Sequence, residues 1–398
     1  MEKDRTADMF GDLRQELELR IGKLRRGMEK EEADALLVSA NVNLYYLSGR
    51  VFNGFVYLPL EGEPVYFVRR PVGLSGKRVV YIRKPEDMGD YIRRSGMGMP
   101  RTLMLEYDTL THGEYLRYSA IFPGTATING TPLLRRARSI KTPYEIGLLR
   151  RSGQLHTQVY GLIPSLYRKG MTDIELSIEV ERQLRLHGSF GIFRVFGQSM
   201  EIFVGSVLAG GNADNPSPYD FALGGAGMDN SIPIGGNGTA LTEGTSVMVD
   251  LGGNFTGYMT DMSRVFSVGV LPEIAYKAHE ASIEIQRRVM ETAREGTFAR
   301  DIYRLAVDTA EESGLSEYFM GFSQKAGFVG HGIGIEINEP PVLAPRSDDV
   351  LEKGMVLALE PKFVIPNVGA LGIENSLVMG DRGPEKITLA EEKIIMFE

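Results

Sequence analysis

The stretch TSVMVDLGGNFTGYMTDMSRVF, residues 245–266, limits the fold more than any other part of the chain. Two strand-like runs flank Gly252, Gly253, Asn254 and Gly257, a composition that reads as a β-hairpin. Ten residues separate Asp250 from Asp261, so the two positions sum to an odd number, as cross-strand partners around an even-membered loop must. Both aspartates can therefore point to one face and lie side by side. Two facing carboxylates in an otherwise apolar hairpin repel each other unless something positive stands between them. A divalent cation is the economical answer, and two solvated aspartates on an edge hairpin are the alternative.

Three further residues sharpen that choice. His331 lies in GHGIGIEI, where glycines on both sides permit close backbone approach and leave the imidazole accessible. A lone histidine in such a place is more often a hydrogen-bonded structural residue than a ligand. Glu360 ends the apolar run VLALEPKF, and Glu374 interrupts the apolar run LGIENSLVM. An ionised carboxylate in a buried strand is costly unless it is paired or coordinated. Together the five give an oxygen-rich donor set with one imidazole, suited to paired Mn²⁺, Co²⁺, Zn²⁺ or Fe²⁺ rather than to a structural zinc.

Around this set the chain reads as two domains, 1–138 and 139–398. In the first, helical spacing over 12–33 is followed by the strand ADALLVSA, a short element LYYLSG closed by Gly49, and a hairpin turning at Glu61-Gly62. RTLMLEYD then predicts a strand and His112 to Ala120 a helix, an alternation that makes a small α/β domain. The second domain opens at Thr142-Pro143-Tyr144-Glu145, with a cap hydroxyl, a proline at the first helical position and a glutamate at the third. Thr172-Asp173-Ile174-Glu175 repeats the signal, for a helix ending at Gly188. Gly205 to Gly257 holds 13 glycines in 53 residues, which predicts irregular backbone, and no GxxxxGK[ST] phosphate loop occurs in it. Helices over 273–294 and 299–313 precede a strand-rich C-terminal third.

Composition removes several function classes. A net charge of −8 offers no basic excess to displace phosphate counterions, so nucleic acid is not an expected partner. The absence of cysteine excludes disulfides, thiolate nucleophiles, iron–sulfur clusters and cysteine zinc sites. No run approaches the roughly 18 apolar residues of a membrane span, and MEKDRTADMFGDLRQELELR has no apolar core of a signal peptide. The expected location is cytoplasmic, with no membrane partner.

In the order VDLGGNFTGYMTD, GHGIGIEINEPP, ALEPKF and GIENSLV, the chain from about Ile140 onward resembles the pita-bread-fold metallopeptidases: Xaa-Pro aminopeptidases, prolidases, methionine aminopeptidases and creatinase-like relatives. The resemblance implies an α+β fold, with a pita-bread catalytic domain behind a smaller creatinase-type N-terminal α/β domain. It also implies that Asp250, Asp261, His331, Glu360 and Glu374 hold two divalent ions, Mn²⁺ being the first choice. Asp261 and Glu374 would bridge the ions, Asp250 would hold one, and His331 with Glu360 the other. A water shared by the ions would attack an amide next to a free amino terminus, typically before proline, with Glu360 relaying the proton. A homodimer acting on a peptide or small amide is the matching expectation.

The chain departs from that pattern in three places. The PHY-like segment that normally brings a histidine upstream of the first aspartate has no counterpart, Ser217 and Pro233 being the nearest residues. Asn338 stands where a second accessory histidine precedes Glu-Pro, and Gly372 and Asn375 replace the usual arginine and aspartate beside Glu374. A carboxamide cannot titrate, but Asn338 could donate a hydrogen bond to a substrate carbonyl or oxyanion. His331 and Asn338 are thus the expected substrate contacts. A metal-dependent lyase, a small-molecule amide hydrolase and a non-catalytic binding protein on the same scaffold are the competing readings.

Overall fold

Three Thr-x-x-Glu segments start helices in the computed structural model, which describes residues 7–8, 13–197, 200, 202–219 and 221–398. Thr111, Thr142 and Thr172 each accept from the backbone N–H of the glutamate three residues on, and that glutamate returns to the threonine N–H. Each such box satisfies two helix-end donors locally and is worth about 1 kcal/mol. The helices His112–Ile121, Pro143–Leu162 and Asp173–Leu186 begin at these boxes.

The chain divides into two units, Met1–Arg138 and Ser139–Glu398. The first carries a six-stranded mixed sheet in the order Val79–Tyr81, Val65–Arg70, Asn53–Pro59, Ala35–Val38, Thr102–Leu105, Ala126–Asn129. Its predicted hairpin is present, with Tyr57 opposite Val65 and Gly62 at φ 89° in the turn. The short element before Gly49 is a helix, Asn41–Ser48, which Gly49 ends in the left-handed region at φ 70°.

The second unit holds the candidate site between two sheets. One runs Ile395–Phe397, Met259–Val268, Thr245–Asn254, Gly205–Ala209. The other runs Glu339–Val342, Gly330–Gly332, Val356–Leu359, Asn375–Gly380, Gly383–Lys386, and a separate ribbon pairs Lys362–Ile365 with Gly369–Gly372. The helices Glu273–Thr292 and Ala299–Glu312 share one continuous apolar core with these strands, from Ala275 and Ile285 to Leu357, Phe363 and Leu377. The helix Pro143–Leu162 is tied to the hairpin turn, because Tyr258 donates to Glu145 Oε1 at 2.6 Å and Ser152 to the Tyr258 carbonyl at 2.8 Å.

Glu374 does not interrupt a continuous strand. The backbone leaves the ribbon at Gly372 and enters the five-stranded sheet at Asn375, and Glu374 sits in the crossing, bridged to Ser263 of the hairpin. Gly372 stands at φ 124°, and a Cβ there would lie 2.5 Å from the Pro361 carbonyl and 2.9 Å from Ser282 Oγ. The position given to arginine in the resembling family is therefore restricted here by backbone packing.

Candidate metal centre

The hairpin Thr245–Asn254/Met259–Val268 pairs Asp250 with Ser263 and Gly252 with Asp261. The parity read from the sequence holds, so both aspartates lie on one face, but they are diagonal neighbours rather than a directly facing pair. The turn at 255–258 is centred one residue later than a directly facing pair requires, and that produces this offset. Diagonal partners stand roughly 7–8 Å apart at the backbone, which leaves room between the carboxylates for other groups.

The remaining side chains arrive from the five-stranded sheet and its flanks. His331 is the centre of Gly330–Gly332, sandwiched between Glu339–Val342 and Val356–Leu359. Added Cβ atoms at Gly330 and Gly332 would come within 2.3 Å of the Ala358 carbonyl and 2.0 Å of the Pro340 carbonyl, so only glycines fit on either side of the histidine. His331 Nδ1 lies 3.0 Å from the Gly332 carbonyl, and since a carbonyl only accepts, Nδ1 donates. That leaves Nε2 as the ring atom facing the carboxylates, 3.5 Å from Glu360 Oε1 and 3.9 Å from Asp261 Oδ2.

Asp261, His331 and Glu374 form one cluster able to surround a cation, and Asp250, Glu360 and Glu374 form a second. Each Glu374 oxygen has its own setting. Oε2 accepts from Ser263 Oγ at 2.6 Å, while Oε1 is buried with no hydrogen-bond partner. An unpartnered carboxylate oxygen costs a great deal of solvation free energy in a protein interior, and a metal ion removes the cost. Burial, reinforced by repulsion from Asp250, drives the Asp261 carboxyl well above its usual range, and burial with repulsion from Asp261 does the same for Glu374. The cluster is built to receive positive charge.

Part of that charge comes from a residue that sequence reasoning missed. Lys362 is buried, and its Nζ lies 2.7 Å from Asp250 Oδ2, 2.7 Å from Glu360 Oε2 and 3.3 Å from Glu374 Oε2. Burial works against the ammonium, yet the three carboxylates outweigh it and hold Lys362 protonated well above its ordinary range. A signal was present: Lys362 follows Glu360 by two, the spacing that puts side chains on one face of extended chain.

Asn338 meets the backbone of Phe196. Its Oδ1 accepts from the Phe196 N–H at 2.7 Å and its Nδ2 donates to the Phe196 carbonyl at 2.8 Å. The carboxamide thereby anchors a segment across the hairpin, where the Ile337 N–H donates to the Arg194 carbonyl and Asn254 Nδ2 to the Ile192 carbonyl. Phe193 packs where a Cβ on Gly252 would stand, 2.3 Å from its ring. Ser217 and Pro233, the two nearest counterparts of the missing histidine, touch each other through a 3.1 Å hydrogen bond. Asn375 accepts from the buried Arg264, which also donates to the Glu374 and Ser263 carbonyls at 2.8 Å and so fixes the Glu374 backbone.

The profile of metallopeptidase family M24 matches residues 147–381, the part of the chain that carries all five candidate ligands. The chain belongs to family M24. The creatinase/prolidase N-terminal domain profile matches residues 20–140, and the chain is accordingly a metallopeptidase-like hydrolase with the creatinase-type domain arrangement. Among M24 relatives, the uncharacterized peptidase YqhT of Bacillus subtilis is 24% identical over 95% of this chain and 100% of its own length. The Xaa-Pro dipeptidase of Pyrococcus horikoshii is 23% identical over 94% of this chain and 98% of its own. Among solved structures, an Xaa-Pro dipeptidase from Bacillus anthracis superposes with a TM-score of 0.78 at 24% identity, covering 96% of this chain and 99% of its own. The N-terminal domain of the FACT complex subunit SPT16 from chickpea superposes with a TM-score of 0.71 at 14% identity, covering 96% of this chain and 98% of its own. These likenesses establish the pita-bread fold. Among the described residues no helix is long and apolar enough to cross a membrane.

Proposed function

We propose that this M24 chain hydrolyses an amide bond next to a free amino terminus, with peptides of the Xaa-Pro type as its substrate class and Mn²⁺ as the first-choice metal. The observation that carries the reading is the meeting of Asp261, His331 and Glu374, whose ligand atoms lie within 4.8 Å of one another, with one Glu374 oxygen buried and unpartnered. Relatives named Xaa-Pro dipeptidase, matched over nearly their whole length, supply the substrate class.

Asp261, His331 and Glu374 would hold the ion, with Glu360 beside them and Asp250 on the far side of Lys362. When bound, a divalent ion there supplies Lewis acidity toward a carbonyl and makes a water acidic near neutral pH. Glu360 is the proton carrier: Lys362 engages its Oε2, which leaves Oε1 facing the His331 side of the cluster. Oε1 takes the proton of the attacking water, whose oxygen bonds to the carbonyl carbon. The same oxygen then returns the proton to the nitrogen as the carbon–nitrogen bond breaks. Asn338 acts one step removed, by holding the 191–197 segment over the hairpin rather than by titrating. A homodimer in the cytoplasm completes the proposal on the strength of the family resemblance.

The test is turnover of Xaa-Pro di- and tripeptides by Mn²⁺-loaded protein beside His331→Ala. Metal-dependent release of the N-terminal residue, lost in the variant together with at least tenfold of Mn²⁺ affinity, is the expected result. Failure of the loaded protein to cleave any amide overturns the reading. Lys362 favours a second reading, a binding protein on this fold, because its ammonium neutralises part of the cluster by itself; bound metal without any turnover is its signature.

A further inference from the structure

We infer that Lys362 occupies one of the two cation positions of the cluster, so that this chain holds one divalent ion where its resemblance implies two. The inference rests on the metal site proposed above and concerns how many ions that site accepts.

The argument is steric first. Lys362 Nζ stands 2.7 Å from Asp250 Oδ2 and Glu360 Oε2 and 3.3 Å from Glu374 Oε2, the three residues of the second candidate cluster. A small divalent ion bound by those oxygens has to lie roughly 2.0–2.2 Å from them, inside the volume the ammonium fills. The lysine has nowhere else to go: its side chain is 1% exposed, its strand pairs with Gly369–Gly372, and its carbonyl accepts from the Met320 N–H. An ammonium has three N–H donors, and three carboxylates receive them. Lys362 is therefore saturated as a donor and serves as a fixed positive charge, not as a contact for substrate.

The other position has the opposite character. Asp261, His331 and Glu374 meet there, no lysine or arginine among the described residues pairs with Asp261, and Glu374 Oε1 is buried without a hydrogen-bond partner. Glu374 belongs to both donor sets, and its two oxygens differ: Oε2 is taken by Lys362 and Ser263, while Oε1 is buried without a hydrogen-bond partner. The ammonium replaces a metal in the charge pattern and keeps Glu360 aimed at the remaining ion.

The experiment is metal counting with Mn²⁺ alone. Purified protein is stripped with chelator, saturated with Mn²⁺, desalted and measured by elemental analysis. Electron paramagnetic resonance of the same samples separates isolated Mn²⁺ from magnetically coupled pairs. The expected result is one ion per chain with an isolated-ion spectrum, and two ions per chain with coupling in Lys362→Ala, whose fold is checked by circular dichroism. Two coupled ions in the unaltered protein overturn the inference and leave the proposed hydrolase standing. No bound ion overturns both. A folded Lys362→Ala that stays at one ion overturns the assignment of Lys362 as the group that excludes the second, and should that variant not fold, the count and spectrum of the unaltered protein decide.

Discussion

Replacing Lys141 and Glu339, singly and together, probes the frame that holds His331. Lys141 Nζ lies 3.0 Å from Glu339 Oε2, with side-chain exposures of 1% and 0%. The Ile335 and Glu336 N–H groups donate to Glu339 Oε1, and Glu339 pairs with Gly332, next to His331. At 3.0 Å the Coulomb attraction is about 5–6 kcal/mol for an effective dielectric constant of about 20. The desolvation of both ions offsets most of it, so the intact pair contributes little net stability. Removing Glu339 leaves the Lys141 ammonium in the interior without its carboxylate. Glu339→Gln keeps an oxygen for the two backbone donors but leaves the ammonium unpaired, and is expected to cost about 3–5 kcal/mol. Lys141→Met takes the ammonium away from Glu339 Oε2 and is expected to destabilise as well, by less, because Glu339 Oε1 keeps its two backbone donors. The double variant removes both charges together and is expected to lose less than the sum of the single losses, a coupling of about 1–3 kcal/mol. Urea unfolding followed by far-ultraviolet circular dichroism in the presence of chelator is the assay, the chain having no tryptophan. Metal-free conditions keep ion binding out of the free energies. Additive single-variant losses, or single losses below about 1 kcal/mol, refute the reasoning.

Asn338→Ala removes both contacts to the Phe196 backbone, worth about 1 kcal/mol each. Amide exchange at Phe196 should accelerate roughly 10–100-fold, and an unchanged rate means that the segment is held elsewhere. Acid should destabilise the fold through its buried histidines. Burial lowers the pKa of His279 from 6.5 to about 4, and the ring donates from Nε2 to the Glu392 carbonyl while Nδ1 accepts from Gly372. The folded pKa lies below the unfolded one, so this contribution is intact above pH 6.5. It is lost as pH falls toward 4, by up to about 1.4 kcal/mol per pH unit. The stability gap between the unaltered protein and His279→Gln should therefore shrink from pH 7 to pH 4.5, and a constant gap contradicts the assignment.

The sequence by itself determined what is local or periodic. The Thr-x-x-Glu boxes set helix starts through side chains that reach only three residues, and the parity of Asp250 and Asp261 put both on one face whatever turn joined them. Costly carboxylates at Glu360 and Glu374 marked the site because an apolar neighbourhood is visible in one dimension. The offset of the aspartates was not visible, since it depends on whether the turn is centred on 255–256 or on 256–257. Tertiary structure alone decided the partners of residues far apart in the chain. Lys362 meets Asp250 across 112 positions, and Asn338 meets Phe196 across 142. Lys141 meets Glu339 across 198. No periodicity encodes such meetings, because they arise when two sheets close on one another and every buried charge must find its counter-charge within a few ångströms. The sequence supplied the carboxylates, and closure of the fold brought a lysine among them.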